Sequence, residues 1–158
     1  TSKSLSDCCE ETLKKLDISF QRKGTYLVME GPQFSTLAES NLYRSWGADV
    51  IGMTNMPEAK LAREAEIRYC TVAMVTDFDC WHPDHDEVDV KMVIKTLQKN
   101  ASNAQSMVKE VIKTFKDFSA EGDPANNCLD VAIITEPKLR TKKTIKKLHF
   151  IAGRVLKK

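Results

Sequence analysis

Residues 50–79 read VIGMTNMPEAKLAREAEIRYCTVAMVTDFD, and this stretch decides the fold. Its pattern predicts a strand over residues 50–54, a helix over residues 58–66 and a second strand over residues 69–76. Pro57 lies at the start of the helix, where proline is favoured because its missing N–H would have no helical partner. The second strand is almost wholly apolar, which is typical of a strand buried on both faces of a sheet.

The residues that precede this unit repeat the alternation. Asp7 or Ser6 is predicted to cap a helix that ends near Leu16, and residues 24–29 are rich in β-formers. A further helix is predicted from Ser35 or Thr36 to Trp46, with a capping box between Thr36 and Glu39. Strands that alternate with helices of this length predict an α/β fold, with a central sheet that contains parallel pairs and helices on its faces.

The second half of the chain is predicted to be mainly helical. A long helical region is expected over residues 89–118, with a break near Asn100 or Ser102, and further helices over residues 129–135 and 141–155. Residues 138–158 contain nine Lys or Arg and no Asp or Glu, so we expect a basic C-terminal helical segment. A solvated helix face is the favoured interpretation, and binding to nucleic acid or an anionic membrane is the alternative.

The composition is that of a globular domain. The 158 residues are 42% hydrophobic and 29% charged, and no apolar run approaches the roughly 20 residues that a membrane span requires. We therefore expect one cytoplasmic domain with no membrane segment. The five cysteines are odd in number and form no CxxC pair, which favours free thiols over a disulfide framework or a zinc site.

Two carboxylates follow the apolar strand at Asp77 and Asp79. A carboxylate at the end of a buried strand is partly dehydrated, which favours acid–base chemistry or a grip on a flat, nitrogen-rich ring. Local amide capping is the simpler alternative. A metal site is a third, because the run also contains several possible ligands, although they match no regular metal-binding spacing: His82, Asp84, His85 and Asp86.

Two other loops are predicted to share an edge with these carboxylates, because ligands bind at the C-terminal ends of parallel strands. Phe34 and Met53 are candidates to close a pocket there. Thr54 precedes a helix, where its hydroxyl and free amides suit either phosphate binding or capping. No nucleophile or phosphate-loop motif occurs, so in a transferase the attacking group would be a bound co-substrate.

Several joined motifs resemble the S-methyl-5′-thioadenosine phosphorylase family, in its bacterial form. They are residues 29–36 (MEGPQFST), 38–40 (AES), 46–54 (WGADVIGMT), 57–59 (PEA) and 77–81 (DFDCW). The resemblance implies the C-terminal part of a purine nucleoside phosphorylase-like three-layer fold, with a mixed central sheet and flanking helices. It also implies phosphorolysis of S-methyl-5′-thioadenosine to adenine and 5-methylthioribose 1-phosphate by a homotrimer, with inorganic phosphate as co-substrate and no metal or other cofactor.

The same resemblance implies roles for individual residues. Asp77 would bind or protonate the adenine N7 and Asp79 would help to read the 6-amino group, as the catalytic pair. Thr54 would contact phosphate. The remaining substrate-binding residues would line the base (Phe34, Ser35, Thr76 and Phe78), the ribose (Met53) and the methylthio group (Val90, Val93 and Ile94).

The chain also departs from the family. Leu37 stands where the family has Arg, and nothing before Gly24 matches the family's glycine-rich strand or its phosphate-binding Arg-His pair. Residues 1–158 are therefore expected to be one incomplete phosphorylase domain without its N-terminal half. Two alternatives stay open: a 6-oxopurine nucleoside phosphorylase, which aspartates at 77 and 79 disfavour, and a non-catalytic purine-binding fragment.

Overall fold

The structure, a computed structural model, describes residues 1–81 and 90–156, without the side chains of Val90 and Met92. Five α-helices are α1 (Lys3–Lys15), α2 (Leu37–Ser45), α3 (Asn55–Glu64), α4 (Val90–Thr114) and α5 (Lys142–Leu156). Two strands are β1 (Tyr26–Val28) and β2 (Val50–Gly52), and short 3-10 turns cover Phe115–Asp117 and Pro137–Leu139. Across the described ranges, no helix combines the length and apolarity that crossing a membrane requires.

The two strands form a parallel pair joined through α2, in the register Tyr26 to Val50 and Val28 to Gly52. The α/β prediction is thus confirmed, although this sheet is parallel rather than mixed and has two strands within the described residues. The predicted capping box also holds, because the Thr36 side chain accepts from the Glu39 N–H while the Glu39 carboxylate accepts from the Thr36 N–H.

A helical contact between α1 and α4 forms the main apolar cluster. Cys9, Leu13 and Met107 are buried in it, and partly buried apolar residues surround them: Leu5, Leu16, Ile18, Cys70, Val72 and Val111. Helix α1 begins earlier than predicted. Its N-cap is Ser2 rather than Ser6 or Asp7, since the Ser2 hydroxyl accepts a hydrogen bond from the Leu5 N–H.

The third predicted strand, residues 69–76, is wrong for this chain, because the segment pairs with no neighbouring strand in the described structure. It is held by single hydrogen bonds instead. The Ser2 N–H donates to the Tyr69 carbonyl at 2.7 Å, and the Asn100 side chain donates to the Val75 carbonyl at 3.0 Å. The break predicted near Asn100 or Ser102 is also wrong, since α4 runs through both positions.

The C-terminal helix packs on a second apolar cluster. Ala152, Val155 and Leu156 of α5 are buried against partly buried apolar residues: Leu129, Ile133 and Leu148. The helix predicted over residues 129–135 is wrong, because this segment forms turns that cover the end of α5. The basic helix itself is confirmed by α5, and four of its lysines form the expected exposed face: Lys142, Lys143, Lys146 and Lys147.

Candidate functional site

The two predicted catalytic carboxylates have different surroundings. Asp77 is exposed, and the hydroxyl of Thr76 donates to its Oδ2 at 2.7 Å. Asp79 is half-buried and begins a turn, and it accepts hydrogen bonds on both oxygens: from the Ser40 hydroxyl at 2.5 Å and from the Cys80 N–H at 2.9 Å. Asp79 is therefore fixed as an acceptor, whereas Asp77 has an open side toward solvent.

Helix α2 holds the turn that contains Asp79 at two points. Ser40 is only 1% exposed and bonds to Asp79. One helical turn later, the Arg44 guanidinium lies 3.8 Å from the ring centroid of Trp81, within the range of a cation–π contact. Positions four apart lie on one face of a helix, so α2 presents a single face to this turn and sets the direction of the Asp79 carboxylate.

The loop at the end of β1 reaches the same turn. The Cys80 thiol donates to the Ser35 carbonyl at 3.7 Å, which brings the predicted base-lining Ser35 beside residues 79–80. The Ser35 hydroxyl itself donates to the Met29 sulfur at 3.4 Å. Two of the three predicted edge loops therefore meet in the structure.

The third loop, after β2, is joined to the segment that leads to Asp77. The Asn55 side-chain oxygen accepts from the Tyr69 hydroxyl at 2.8 Å and from the Thr71 hydroxyl at 2.6 Å. These bonds place the Met53 and Thr54 loop alongside residues 69–71. Met53 also packs beside Gly31, where an added Cβ would lie 3.1 Å from its sulfur, so the loops after β1 and β2 touch.

Thr54 occupies the N-cap position of α3, but its side chain makes no capping hydrogen bond. The capping alternative for this residue is therefore wrong. Helix α3 has a kink directly after this point, because Met56 has the non-helical angles φ −119° and ψ 135°. An exposed Thr54 hydroxyl is thus available to a ligand at this edge.

The apolar members of the predicted site remain open. Phe34 is 83% exposed and Phe78 is 58% exposed, so the pocket that Phe34 and Met53 were expected to close is not enclosed by the residues that the structure describes. Two cavities of about 450 and 460 Å³ lie elsewhere, one between α3 and residues 123–125 and one beside α5. Neither is lined by a predicted site residue.

The predicted methylthio-lining residues lie in the first turns of α4. Val93 is half-buried and Ile94 is 48% exposed, while the Val90 side chain is outside the described residues. The possible metal ligands from His82 to Asp86 also lie outside them. Within residues 1–81 and 90–156, no three His, Cys, Asp or Glu side chains converge as a metal site would require.

Comparison with known proteins identifies the family to which this chain belongs. A profile described as the phosphorylase superfamily matches residues 1–113. The chain belongs to the phosphorylase superfamily. It is 61% identical over 153 residues to the S-methyl-5′-thioadenosine phosphorylase of Rhodospirillum rubrum and 52% identical over 153 residues to that of Synechocystis. These matches cover 96% and 95% of this chain but 52% and 47% of the relatives, so the chain spans about half their length.

Solved structures of the superfamily show the same fold. A methylthioadenosine phosphorylase from an antarctic soil metagenomic library has a TM-score of 0.85 and 42% identity, over 95% of this chain and 53% of that one. Methylthioadenosine phosphorylase from Schistosoma mansoni, solved in complex with adenine, has a TM-score of 0.65 and 26% identity, over 74% and 46%. The recognition made from the sequence motifs is thereby confirmed at the level of family and fold.

Sequence reasoning missed two residues that organise this candidate site. Ser40 lay within a quoted motif, yet a serine inside a helix gives no signal of its burial or of its bond to a residue 39 positions later. Asn55 lies just before the predicted helix over residues 58–66, and its bridge to Tyr69 and Thr71 depends on a contact between distant segments. Only an unusually polar position on the packed face of α2 could have pointed to Ser40.

Proposed function

We propose that this chain carries the adenine-binding part of an S-methyl-5′-thioadenosine phosphorylase. In the full-length protein it would catalyse phosphorolysis of S-methyl-5′-thioadenosine to adenine and 5-methylthioribose 1-phosphate. The observation that carries this proposal is the meeting of Ser35, Ser40 and Asp79 at one turn. This meeting supports a polar surface that could hydrogen-bond to one edge of a purine ring. The relatives of the chain indicate which class of purine substrate to expect.

The hydrogen bonds favour a division of labour between the two aspartates. A carboxylate that already accepts on both oxygens is suited to accept once more, from the 6-amino group of adenine, because each oxygen has two lone pairs. That role falls to Asp79. Asp77 has the more open carboxylate and is assigned to N7, where it would bind or protonate the leaving base. Thr76 orients Asp77 through its hydroxyl.

The proposed reaction then follows from ordinary displacement chemistry. An oxygen of inorganic phosphate attacks C1′ of the ribose while the bond from C1′ to N9 breaks, and its electron pair passes to the adenine ring. A proton or hydrogen bond at N7 stabilises that charge, and alignment of phosphate supplies much of the rate. Thr54 is assigned to phosphate and Met53 to the ribose. The base is assigned Phe34, Ser35 and Phe78, and the methylthio group Val90, Val93 and Ile94.

The proposal also includes the assembly and setting expected of the full-length enzyme. It would be a homotrimer in the cytoplasm, with phosphate as co-substrate and without a metal ion or organic cofactor. Asp79, as a hydrogen-bond acceptor at the 6-position, suits a 6-aminopurine, since a 6-oxo group is itself an acceptor and needs a donor. This favours S-methyl-5′-thioadenosine over the substrate of a 6-oxopurine nucleoside phosphorylase.

A purine-binding fragment without activity is a second candidate, favoured by the exposure of Phe34 and Phe78 and by the half-length match. An assay distinguishes the two. The chain would be joined to the part of the Rhodospirillum rubrum relative that it does not cover, giving what we term the complemented protein. We expect phosphate-dependent adenine release from S-methyl-5′-thioadenosine, and little hypoxanthine release from inosine. Adenine binding without release in the complemented protein would favour the fragment, and inosine turnover would favour the 6-oxopurine enzyme.

A further inference from the structure

Two thiols lie where α1 contacts the segment that leads to the candidate site. Cys9 is 8% exposed in the apolar cluster of α1 and α4, and the half-buried Cys70 packs against that cluster. The Ser6 hydroxyl, one helical turn before Cys9, donates to the Cys70 sulfur at 3.2 Å. The Ser2 N–H, a further turn back, donates to the Tyr69 carbonyl at 2.7 Å. One face of α1 therefore runs along residues 69–70.

The environment makes these two thiols chemically unequal. A hydrogen bond from Cys9 lowers the pKa of Cys70 below its ordinary value against the opposing effect of burial, and the Ser6 hydroxyl and the Arg22 charge lower it further. The same hydrogen bond, together with burial, raises the pKa of Cys9. Arg22 is itself held in place by the Asp7 carboxylate, 2.7 Å away, and by Glu10. Cys70 is thus the more acidic thiol of the pair and Cys9 the less acidic one, which suits a nucleophile and a resolving thiol.

We propose that Cys9 and Cys70 form a reversible disulfide when the protein meets hydrogen peroxide. The Cys70 thiolate attacks one peroxide oxygen, the O–O bond breaks, and the departing hydroxide takes a proton from solvent to become water. Cys70 is then a sulfenic acid. The Cys9 sulfur attacks the Cys70 sulfur, the S–O bond breaks, and the hydroxyl leaves as water with the Cys9 proton. Two thiols and one peroxide give one disulfide and two waters.

The other three cysteines provide internal comparisons, because each lies beside an oxygen of another residue. Cys8 is 3.7 Å from the Thr114 hydroxyl, Cys80 donates to the Ser35 carbonyl, and Cys128 donates to the Arg63 carbonyl at 2.9 Å. Cys80 is exposed and should meet peroxide first. If exposure alone decided the reaction, Cys80 would be oxidised in preference to Cys70. Selective linkage of Cys9 to Cys70 therefore requires the packing of Cys70 against the cluster that contains Cys9.

The disulfide would fasten α1 to the segment that ends at the candidate site, since Cys70 is seven positions before Asp77. It would close a loop of about sixty residues, which restricts the unfolded chain. We expect the thermal unfolding midpoint to rise on oxidation and to return after treatment with dithiothreitol. This inference stands apart from the proposed function, because it requires neither substrate binding nor catalysis.

Peptide mapping of the native chain tests the inference. The reduced protein would be exposed to a small excess of hydrogen peroxide, quenched with N-ethylmaleimide and digested with trypsin without reduction. We expect a linked species of residues 4–14 and 69–91, lighter by two hydrogens than the sum of the two peptides once any N-ethylmaleimide on Cys8 and Cys80 is included in that sum. Fragment ions should place the link at Cys9 and Cys70. Because the wild-type chain gives this assignment directly, it does not depend on whether any variant folds.

Matched variants sharpen the result. The link should disappear in C9S and in C70S, and persist in C8S and in C80S, with folding of each variant followed by circular dichroism. A link that survives in C9S through Cys8, or one that runs through Cys80, would overturn the inference. Oxidation of Cys70 to a sulfinic acid without any link to Cys9 would overturn it equally.

Discussion

The contact between α1 and α4 and the edge that holds Asp77 and Asp79 are built in opposite ways. In the first, the apolar side chains of Leu13 and Met107 are buried by other parts of the same chain. In the second, the polar groups are bonded within the chain, as Ser40 to Asp79 shows, but Phe34 and Phe78 face solvent. The described residues therefore fix the polar geometry of the site without enclosing it, and we expect the affinity of the chain for a purine to be far weaker alone than in the complemented protein.

The largest effect on the rate of adenine release should come from a change at the exposed carboxylate of Asp77. In the complemented protein, Asp77→Asn removes the proton donor or charged partner at N7, so adenine release should fall by about 10² to 10⁴. Steady-state rates with S-methyl-5′-thioadenosine and phosphate measure this. Asp130→Asn is the matched control, because Asp130 pairs with Arg154 far from this edge in the chain. Equal rates for the wild type and Asp77→Asn would remove Asp77 from the mechanism.

The free energy of unfolding should depend on the contact between α1 and α4 rather than on the edge that holds Asp77 and Asp79. Leu13→Ala leaves a cavity in the buried cluster and should lower the free energy of unfolding by about 3 kcal/mol, as for other buried leucines. Phe34→Ala should change it by less than about 0.5 kcal/mol, because the ring is already in solvent. Urea unfolding of this chain compares the two. A larger loss for Phe34→Ala than for Leu13→Ala would contradict the contrast between the regions.

Ser40 shares a feature with each region, because it is buried and also donates a hydrogen bond to Asp79 at the candidate site. Ser40→Ala removes a hydrogen bond to a carboxylate, which is worth roughly 1.5 to 3 kcal/mol. We expect adenine affinity in the complemented protein to fall by about tenfold or more. Ser45→Ala, on the same helix, is the control, because the Ser45 hydroxyl bonds only to the local Leu42 carbonyl among the described contacts. If both variants bind adenine as the wild type does, Ser40 does not position Asp79.

The smallest effect concerns pH and lies away from both regions. Arg154 donates to Glu66 and lowers the pKa of that carboxyl below its ordinary value. A carboxylate with a lowered folded-state pKa adds stability above its unfolded value near 4.5, and this is lost as the pH falls through the folded value. The difference in unfolding midpoint between wild type and Glu66→Gln should thus be present at neutral pH and vanish in acid. A difference that grows in acid would refute this assignment.

The sequence predicts those features of the molecule that depend on neighbouring residues. The capping box of α2, the bounds of β1 and β2 to within a few positions, and α5 all follow from local patterns. The strand expected at residues 69–76 could not be predicted reliably, because a strand needs a partner and an apolar run does not reveal whether one is present. The start of α1 at Ser2 was missed because several polar residues compete for the cap.

The features of the candidate site also divide into those that depend on local patterns and those that depend on tertiary contacts. The meeting of the three edge loops could be predicted from motifs and, for the loops after β1 and β2, from the rule that ligands bind at strand ends. The bonds from Ser40 to Asp79 and from Asn55 to Tyr69 could not, since they join residues 39 and 14 positions apart through tertiary contact. The openness of Phe34 was also beyond sequence reasoning, because enclosure depends on the whole fold.

A crystal structure of the complemented protein with adenine tests the central claim most directly. We expect N7 of the bound base to lie within hydrogen-bonding distance of the Asp77 carboxylate, and the 6-amino group to lie within that distance of Asp79. Ser40 should keep its bond to Asp79. Adenine bound without contact to either aspartate, or seated in the cavity between α3 and residues 123–125, would contradict the account.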